Sequence, residues 1–253
     1  MYIIKLNIEH DEILQTLNIT NNKEDKLFDT SIANSIRRSV FLTSHCYAIN
    51  RIMTNSQKLI YNKYFNMKLN EAEQIYSVVI ENFYSLEYFS HRLNRIPIYY
   101  GPETAELLKQ GIYICLTDPT DFSKPFLNTS SNPIEIYTSD LRFYKIDSLE
   151  DKVIELDPAE KKSLIKYDVL ICVLLKDNFM HILSNPVYNC GYEGSEFEPS
   201  PVVYNFGLNE TPKYEKKDMF DNPYSIYITI EFNGKKDLIM TYNDAINYLI
   251  FQL

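Results

Sequence analysis

Two adjacent arginines on a short amphipathic helix are the residues of this sequence best placed to bind a partner. The run from Ser31 to Arg38 reads Ser-Ile-Ala-Asn-Ser-Ile-Arg-Arg. At roughly 100° per residue, a helix here gathers one apolar stripe, formed by Ile32, Ala33, Ile36 and Val40. The opposite side carries Asn34, Arg38 and Phe41, with Arg37 between the two faces. Because guanidinium groups bind carboxylates through two parallel hydrogen bonds, we expect this side to contact another protein.

The histidines, cysteines and carboxylates show no spacing typical of a catalytic or metal site. The four cysteines lie at positions 46, 115, 172 and 190 without a Cys-x-x-Cys pair, which favours buried thiols in a reducing compartment. His91 and Arg92 have no nucleophile or carboxylate beside them, so a structural histidine near a helix end is the simpler interpretation. The acidic run Glu193, Glu196, Glu198 lacks the alternation of a calcium loop and is interpreted as a solvated turn.

Known catalytic signatures are missing from the sequence as well. The chain has no Asp-x-Asp-Gly-Asp polymerase signature and no Gly-x-x-x-x-Gly-Lys phosphate loop. Its six glycines leave little material for a loop that cradles a nucleotide. We therefore predict no active site, no metal and no cofactor in this chain.

Composition and charge indicate a globular chain that does not bind nucleic acid by itself. Of its 253 residues, 45% are hydrophobic, which predicts a real core. The net charge of −9, without a long basic stretch, argues against direct binding of phosphate backbones. No apolar run reaches membrane length, so we expect a soluble, intracellular protein with no membrane contact.

Local patterns predict the secondary structure. The predicted strands are Tyr2–Ile8, Leu14–Ile19, Val78–Ile80, Asp168–Leu175, Phe179–Leu183, Val202–Phe206 and Tyr224–Phe232. The predicted helices are Asp29–Leu42, a second helix capped by Ser85 and stopped by Pro97, and Tyr242–Phe251 with Thr241 and Asp244 as a weak capping box. A turn at Lys176–Asn178 predicts a hairpin, and Asn50–Gln74 is expected to be a long excursion or a poorly ordered insertion.

Two separate blocks resemble one protein family, the α-type assembly subunits of multisubunit RNA polymerases. Ser31–Arg38 is similar to the family pattern Ser-x-Ala-Asn-Ser/Ala-Leu-Arg-Arg, with Ile36 in the leucine place. Asn82–Pro97 is similar to Asn-Thr-Ser-x-Leu-x-x-Glu-Phe-x-x-His-Arg-Leu-Gly-Leu-Ile-Pro and matches at Asn82, at His91-Arg92-Leu93 and at Ile96-Pro97. The resemblance is to the branch that contains the archaeal D-type subunit and the third-largest subunit of eukaryotic RNA polymerase II.

Several departures from the family pattern indicate a divergent viral member. Thr43-Ser44-His45 replaces the family's Glu-x-Pro, and Asn94 and Arg95 replace Gly and Leu. The cysteine cluster that follows the Ile-Pro in many relatives is absent, so neither zinc nor an iron–sulfur cluster is expected. The segment that is basic in the family carries Glu193, Glu196 and Glu198.

The resemblance implies an α+β fold, a dimerisation domain of helices on an antiparallel sheet interrupted by a mostly β inserted domain. Residues 1–49 and 207–253 would form the first, and residues 50–206 the second. It further implies a non-catalytic subunit that pairs with a smaller α-like subunit as a heterodimer and docks the two largest subunits. The cellular location would be the cytoplasm or virion for a cytoplasmic DNA virus, and otherwise the nucleus.

The expected partner-binding residues fall into two groups. The core of the seam with the smaller subunit is expected from the apolar residues Ile32, Ile36, Val40, Ile246, Leu249 and Ile250. Other contacts are expected from Asn34, Arg37, Arg38, Phe41, His91 and Arg92. Two alternatives stay open: a small-molecule or peptide-binding α+β protein whose tyrosines line a pocket, and a hydrolase using Asp or Glu. Both predict a stable monomer.

Overall fold

Helices and antiparallel strands make up the part of the chain that the computed structural model describes, which is residues 6–11, 16–21, 30–81, 85–147, 150–206 and 226–252. The helices are α1 (Thr30–Thr43), α2 (Asn55–Tyr64), α3 (Leu86–Asn94), α4 (Ala105–Lys109), α5 (Pro158–Leu164) and α6 (Leu238–Gln252). The strands are β1 (Leu6–Asp11), β2 (Thr16–Asn21), β3 (Cys46–Ile49), β4 (Val78–Glu81), β5 (Ile112–Leu116), β6 (Phe126–Leu127), β7 (Ile134–Tyr137), β8 (Arg142–Asp147), β9 (Lys152–Glu155), β10 (Leu170–Leu174), β11 (Phe179–Ser184), β12 (Pro186–Asn189), β13 (Val202–Phe206) and β14 (Ile226–Glu231). The predicted α+β class is confirmed.

The described residues divide into two compact units. Unit 1 takes those of 1–46 and 189–253, and unit 2 takes those of 47–188. The first boundary was predicted after residue 49 and the second after residue 206, so the second lies well before its predicted place. Strand β13 was predicted in the inserted domain but belongs to unit 1, because it pairs with β14 along its whole length.

Unit 1 is a four-stranded antiparallel sheet packed against two helices. The strand order is β1-β2-β14-β13, with Ile19 opposite Ile228 and Leu17 opposite Ile230. These four side chains are buried with α1 and α6 in one hydrophobic cluster. The predicted strands Tyr2–Ile8 and Leu14–Ile19 overlap β1 and β2, but residues 1–5 and 14–15 lie outside the described residues.

Helix α1 forms as its apolar spacing predicts. Ala33, Ile36 and Val40 are buried against the sheet of unit 1. Burying a side chain such as Ile or Val contributes about 1.5–3 kcal/mol. The hydroxyls of Ser39 and Thr43 each donate to the carbonyl four residues earlier, which satisfies these polar groups within the helix. The predicted capping residue Asp29 lies outside the described residues.

Helix α6 begins four residues earlier than predicted, and its cap is different. Asp237 caps the helix, because its carboxylate accepts from the Met240 amide at 2.9 Å. Thr241 does not cap, since its hydroxyl donates to the Asp237 carbonyl. Asp244, the expected second member of the box, instead bonds Lys236 and Ser44. The sequence pattern predicted the cap at the wrong residue because Asp237 follows two lysines, and such a charged run is typical of a loop.

Unit 2 is built around a sheet with hydrophobic packing on both faces. The strand order is β4-β11-β5-β8-β9, and β6 also pairs with β11. Every residue of β5 is buried. Ile112, Ile114 and Leu116 join the larger core cluster, which includes α3, while Tyr113 and Cys115 join an aromatic cluster with α2. Strands β7 and β10 form a two-stranded sheet, as do β3 and β12.

Segment 50–74 is not a poorly ordered insertion, which was one of its two predicted interpretations. It contains α2, which a capping box between Thr54 and Gln57 begins. Tyr61 of α2 is fully buried, and its hydroxyl donates to the Ser184 carbonyl at 2.6 Å. The other two buried residues of α2, Gln57 and Lys58, are polar, so no apolar repeat indicated a helix.

The predicted hairpin of Asp168–Leu175 with Phe179–Leu183 is wrong. Strand β10 pairs with β7, and β11 pairs with β4, β5 and β6. The connection between them is held by Asn128, whose amide donates to the Asn178 carbonyl and whose carbonyl accepts from the Asp177 amide. A residue about 50 positions upstream therefore directs the chain from one sheet to the other.

Candidate protein-docking surface

The outward face of α1 carries the arginine pair. Arg37 and Arg38 are exposed, and Arg37 donates to the Asn34 side-chain oxygen from Nε at 3.2 Å and from Nη2 at 2.9 Å. Arg38 makes no hydrogen bond or ion pair with the residues that the structure describes. A guanidinium that is charged, exposed and free of such bonds can donate hydrogen bonds to a carboxylate of a partner at little desolvation cost.

Phe41 extends this face toward the acidic loop of unit 1. Its side chain is 38% exposed, and it lies so close to Gly191 that a Cβ there would stand 2.7 Å from the Phe41 carbonyl oxygen. Glycine is required at this close approach. The neighbouring Tyr192 is 74% exposed. The loop therefore adds the exposed ring of Tyr192, which directly follows Gly191, the glycine that contacts Phe41.

Backbone carbonyls of the loop accept hydrogen bonds from the rest of unit 1, among them bonds from Lys235 and Cys46. Lys235 Nζ donates to the Glu196 carbonyl at 2.6 Å, and Cys46 Sγ donates to the Phe197 carbonyl at 3.1 Å. The acidic residues predicted as a solvated turn lie in this loop, with Glu193 exposed and Glu196 and Glu198 half-buried. The docking face is therefore supported by ordered backbone on the loop side.

We call the exposed set Arg37, Arg38, Phe41 and Tyr192 the arginine face. Arginine and tyrosine are enriched among the residues that carry most of the binding energy at protein interfaces. Sequence reasoning identified the first three from helical spacing. It missed Tyr192, because nothing in the local pattern shows that Gly191 contacts α1.

A buried charge network lies under the C-terminal end of α1, where Thr43-Ser44-His45 departs from the family pattern. Lys236 is completely buried, and its ammonium donates to Asp244 Oδ2 and to Ser44 Oγ. Ser44 Oγ donates in turn to Asp244 Oδ2 at 3.2 Å. The network ties α1 to α6 and leaves Ser44 with a structural role.

The predicted seam needs a correction at two of its six residues, which belong to the core of unit 1. Ile36 and Val40 are buried at 1% and 0% exposure, so a partner cannot contact them. Ile32, Ile246 and Leu249 are half-buried and pack against the same core. Ile250 is exposed at 64%. The exposed apolar residues of α6 are Ile239, Tyr248, Ile250 and Phe251.

The second motif places its basic residues differently. Asn82 lies outside the described residues. Ser85 caps α3 by accepting from the Tyr88 amide at 3.4 Å, and the helix ends before Pro97, as predicted. His91 is exposed. Arg92 donates from Nη2 to the Leu170 carbonyl at 2.6 Å and from Nη1 to the Tyr88 hydroxyl at 3.0 Å. Arg92 is therefore bonded inside unit 2, and its partner-binding role stays a prediction.

The cysteines are poorly suited to nucleophilic chemistry. All four are free, and Cys46, Cys115 and Cys172 are buried. Burial raises the pKa of Cys115 to about 12 and the pKa values of Cys46 and Cys172 to about 11. At neutral pH these thiols are protonated, and the thiolate is the reactive form. Within the described residues, no group of three His, Cys, Asp or Glu side chains could hold a metal ion.

Unit 2 contains one sizeable cavity lined by tyrosines. Its volume is about 630 Å³, and its lining includes Tyr64, Tyr113, Lys145 and Asp147. Lys145 is paired with Glu160 at 2.7 Å, and the Tyr64 hydroxyl donates to Asp151 at 2.6 Å. The cavity falls within the size range of small-molecule sites.

Comparison with protein-family models and with curated protein sequences finds no match to this chain. No helix within the described ranges is long and apolar enough to cross a membrane.

Proposed function

We propose that this chain is a non-catalytic assembly subunit of a DNA-directed RNA polymerase. It pairs with a smaller α-like subunit and docks the two largest subunits. The observation that carries the proposal is Arg38, a charged group on the first sequence motif that the chain's own described residues leave unbonded. The opposite side of the same helix is buried in unit 1. A helix used in this way has one face for its own fold and another for a partner.

The composition of unit 1 supports the proposal. Residues from both ends of the chain build it, and the residues between them form unit 2. This is the order of segments that the family resemblance implies. Helices α1 and α6 lie on an antiparallel sheet, which fits the family's dimerisation domain. The finer identity with that domain stays part of the proposal.

The exposed end of α6 supplies a surface for the smaller subunit. Ile250 and Phe251 are 64% and 86% exposed on the last described turn, and Ile239 and Tyr248 are exposed on the same helix. Ile250 and Phe251 are adjacent, and large exposed apolar side chains that lie together mark interaction sites in proteins. We therefore assign the contact with the smaller subunit to these exposed residues of α6 and not to the buried apolar stripe of α1.

Purification of the tagged chain from its native source tests the proposal. We expect two large subunits and a smaller α-like protein to be recovered in defined ratio after washing with salt. A tagged Arg37→Glu/Arg38→Glu chain serves as the matched control and should recover less of the large subunits. Recovery of the chain without either large subunit would overturn the proposal.

A second candidate function rests on the cavity of unit 2. The lining tyrosines and the volume of about 630 Å³ fit a small-molecule or peptide-binding protein. This function predicts a stable monomer and a ligand whose binding is lost in a Tyr113→Ala variant, while the Arg37→Glu/Arg38→Glu variant binds normally. Size-exclusion chromatography of the chain alone, followed by a ligand screen on both variants, separates the two functions.

A further inference from the structure

Unit 2 contains a two-stranded ribbon, β7 with β10, one edge of which meets a cavity. Within the described residues, β7 pairs with β10 and with no other strand. A cavity of about 240 Å³ is lined by the consecutive residues Ile134, Glu135 and Ile136. Residues two apart share one face of a strand, so Ile134 and Ile136 can both contribute side chains to this cavity, and the side of β7 away from β10 has no strand neighbour among the described residues.

The hydrogen bonds around β7 show which backbone groups face that edge. The Thr138 amide donates to the Val169 carbonyl on the β10 side at 3.0 Å. The Tyr137 amide donates instead to the Asp140 carboxylate at 2.7 Å. Backbone groups of a strand point alternately to its two sides. The amide and carbonyl of Ile136 therefore point to β10, and those of Glu135 point to the free edge.

The side chains around the cavity define the kind of segment that fits. The apolar part of the lining comes from Leu116, Pro119, Phe126, Ile134 and Ile136. The charged residues of the lining are Glu135, Asp140 and Arg142. Arg142 is already engaged, since its Nη2 donates to Thr117 Oγ1 at 3.0 Å and to the Asp118 carbonyl at 3.2 Å. The groups that Arg142 bonds are neutral, so the two carboxylates and the guanidinium leave one excess negative charge in the lining, and Glu135 Oε2 accepts from the Tyr137 hydroxyl at 2.8 Å.

We propose that the β7 edge accepts an extended segment of another protein as a third, antiparallel strand. The backbone of the added segment forms hydrogen bonds with the backbone of Glu135. The aliphatic side chains of the segment enter the cavity beside Ile134 and Ile136. A Lys or Arg between these aliphatic residues lies beside the Glu135 carboxylate. Strand addition of this kind takes affinity from main-chain bonds and specificity from alternate side chains. A two-stranded ribbon gains stability from a third strand. The strand Ile-Glu-Ile-Tyr itself carries neither the lysine nor the proline that commonly protects an edge.

The test uses the full chain labelled with ¹⁵N and the peptide acetyl-Thr-Ile-Lys-Leu-Thr-amide. We expect saturable shifts centred on the amides of residues 134–136 and slower hydrogen exchange at Glu135. A second peptide carries an N-methyl group on the lysine backbone nitrogen, which removes the donor for the Glu135 carbonyl. It should bind about tenfold more weakly, as expected for the loss of one backbone hydrogen bond beside a buried contact.

A matched pair of variants separates strand addition from general attraction to an acidic protein. Glu135→Lys should weaken binding by about tenfold, whereas Glu150→Lys, an exposed carboxylate with the same charge change, should leave it unchanged. Shifts centred elsewhere, equal binding of both peptides, or absence of shifts at the solubility limit would overturn the proposal. Its failure would leave the assembly function untouched, because the arginine face lies in unit 1.

Discussion

Three cations of unit 2 are bonded to its own backbone, whereas the arginine pair of unit 1 is exposed. Lys58, Arg92 and Lys161 each donate to main-chain carbonyls within unit 2. Arg38 in α1 donates to none of the described residues. Both predicted motifs contain arginines, yet Arg92 of the second is bonded inside its own unit, whereas Arg38 of the first is exposed and bonds none of the described residues. A basic residue in a motif can therefore be assigned a binding role only after its carbonyl partners are known.

The largest expected effect comes from Lys58. Its ammonium is buried and donates to Asn55 Oδ1 at 3.3 Å, to the Glu71 carbonyl at 3.0 Å and to the Glu73 carbonyl. Lys58→Met leaves these acceptors without a donor and should lower the free energy of unfolding by about 3 kcal/mol. Urea unfolding at neutral pH measures the change. A loss below about 0.5 kcal/mol would show that water replaces the ammonium without cost.

A smaller loss is expected for Arg92→Ala. This change removes the bond to the Leu170 carbonyl and should cost about 1.5 kcal/mol, the lower end of the usual range for a hydrogen bond to a charged group. Arg92→Lys should recover part of the loss, because an ammonium can still donate to one carbonyl. If Arg92→Ala is neutral for unfolding but blocks assembly, the distinction between the two motifs is wrong.

His181 makes the stability of unit 2 depend on pH. Burial lowers the pKa of His181 below its usual value, and its Nε2 lies 3.0 Å from the Phe122 carbonyl. The unfolded chain therefore binds a proton at a higher pH than the folded chain does. The contribution of His181 to the free energy of unfolding is complete above the ordinary histidine pKa. This contribution is lost as the pH falls through the ordinary pKa toward the lowered pKa of the folded chain. The urea midpoint should fall more between pH 7.5 and 5.5 in the unaltered chain than in His181→Gln.

The smallest expected effect on stability is that of Arg38→Ala. Because Arg38 is exposed and bonds no described residue, the free energy of unfolding should change by less than about 0.5 kcal/mol. Thermal unfolding of the isolated chain checks this. A change above about 1 kcal/mol would mean that Arg38 supports the fold and is no different from Arg92.

Local patterns predicted α1 and α3, because both have apolar residues at helical spacing and α3 has a serine cap. They failed for α2, whose buried face is mostly polar, although the capping pair Thr54 and Gln57 stands in the sequence. The hairpin failed because Asn128 redirects the chain from a distance. In the docking surface, helical spacing found Arg37 and Arg38, but the role of Arg92 depends on a carbonyl 78 residues away and could not be seen in the sequence.

The central claim is that the arginine face serves a partner and not the fold. The most direct measurement is the yield of assembled polymerase from cells that produce Arg37→Glu/Arg38→Glu together with the other subunits. Lys68→Glu/Lys176→Glu, an equal charge change at two exposed lysines, is the control. We predict that the arginine variant keeps its unfolding free energy within about 0.5 kcal/mol and loses about tenfold or more of the complex, while the control assembles normally. An unchanged yield for the arginine variant would contradict the claim.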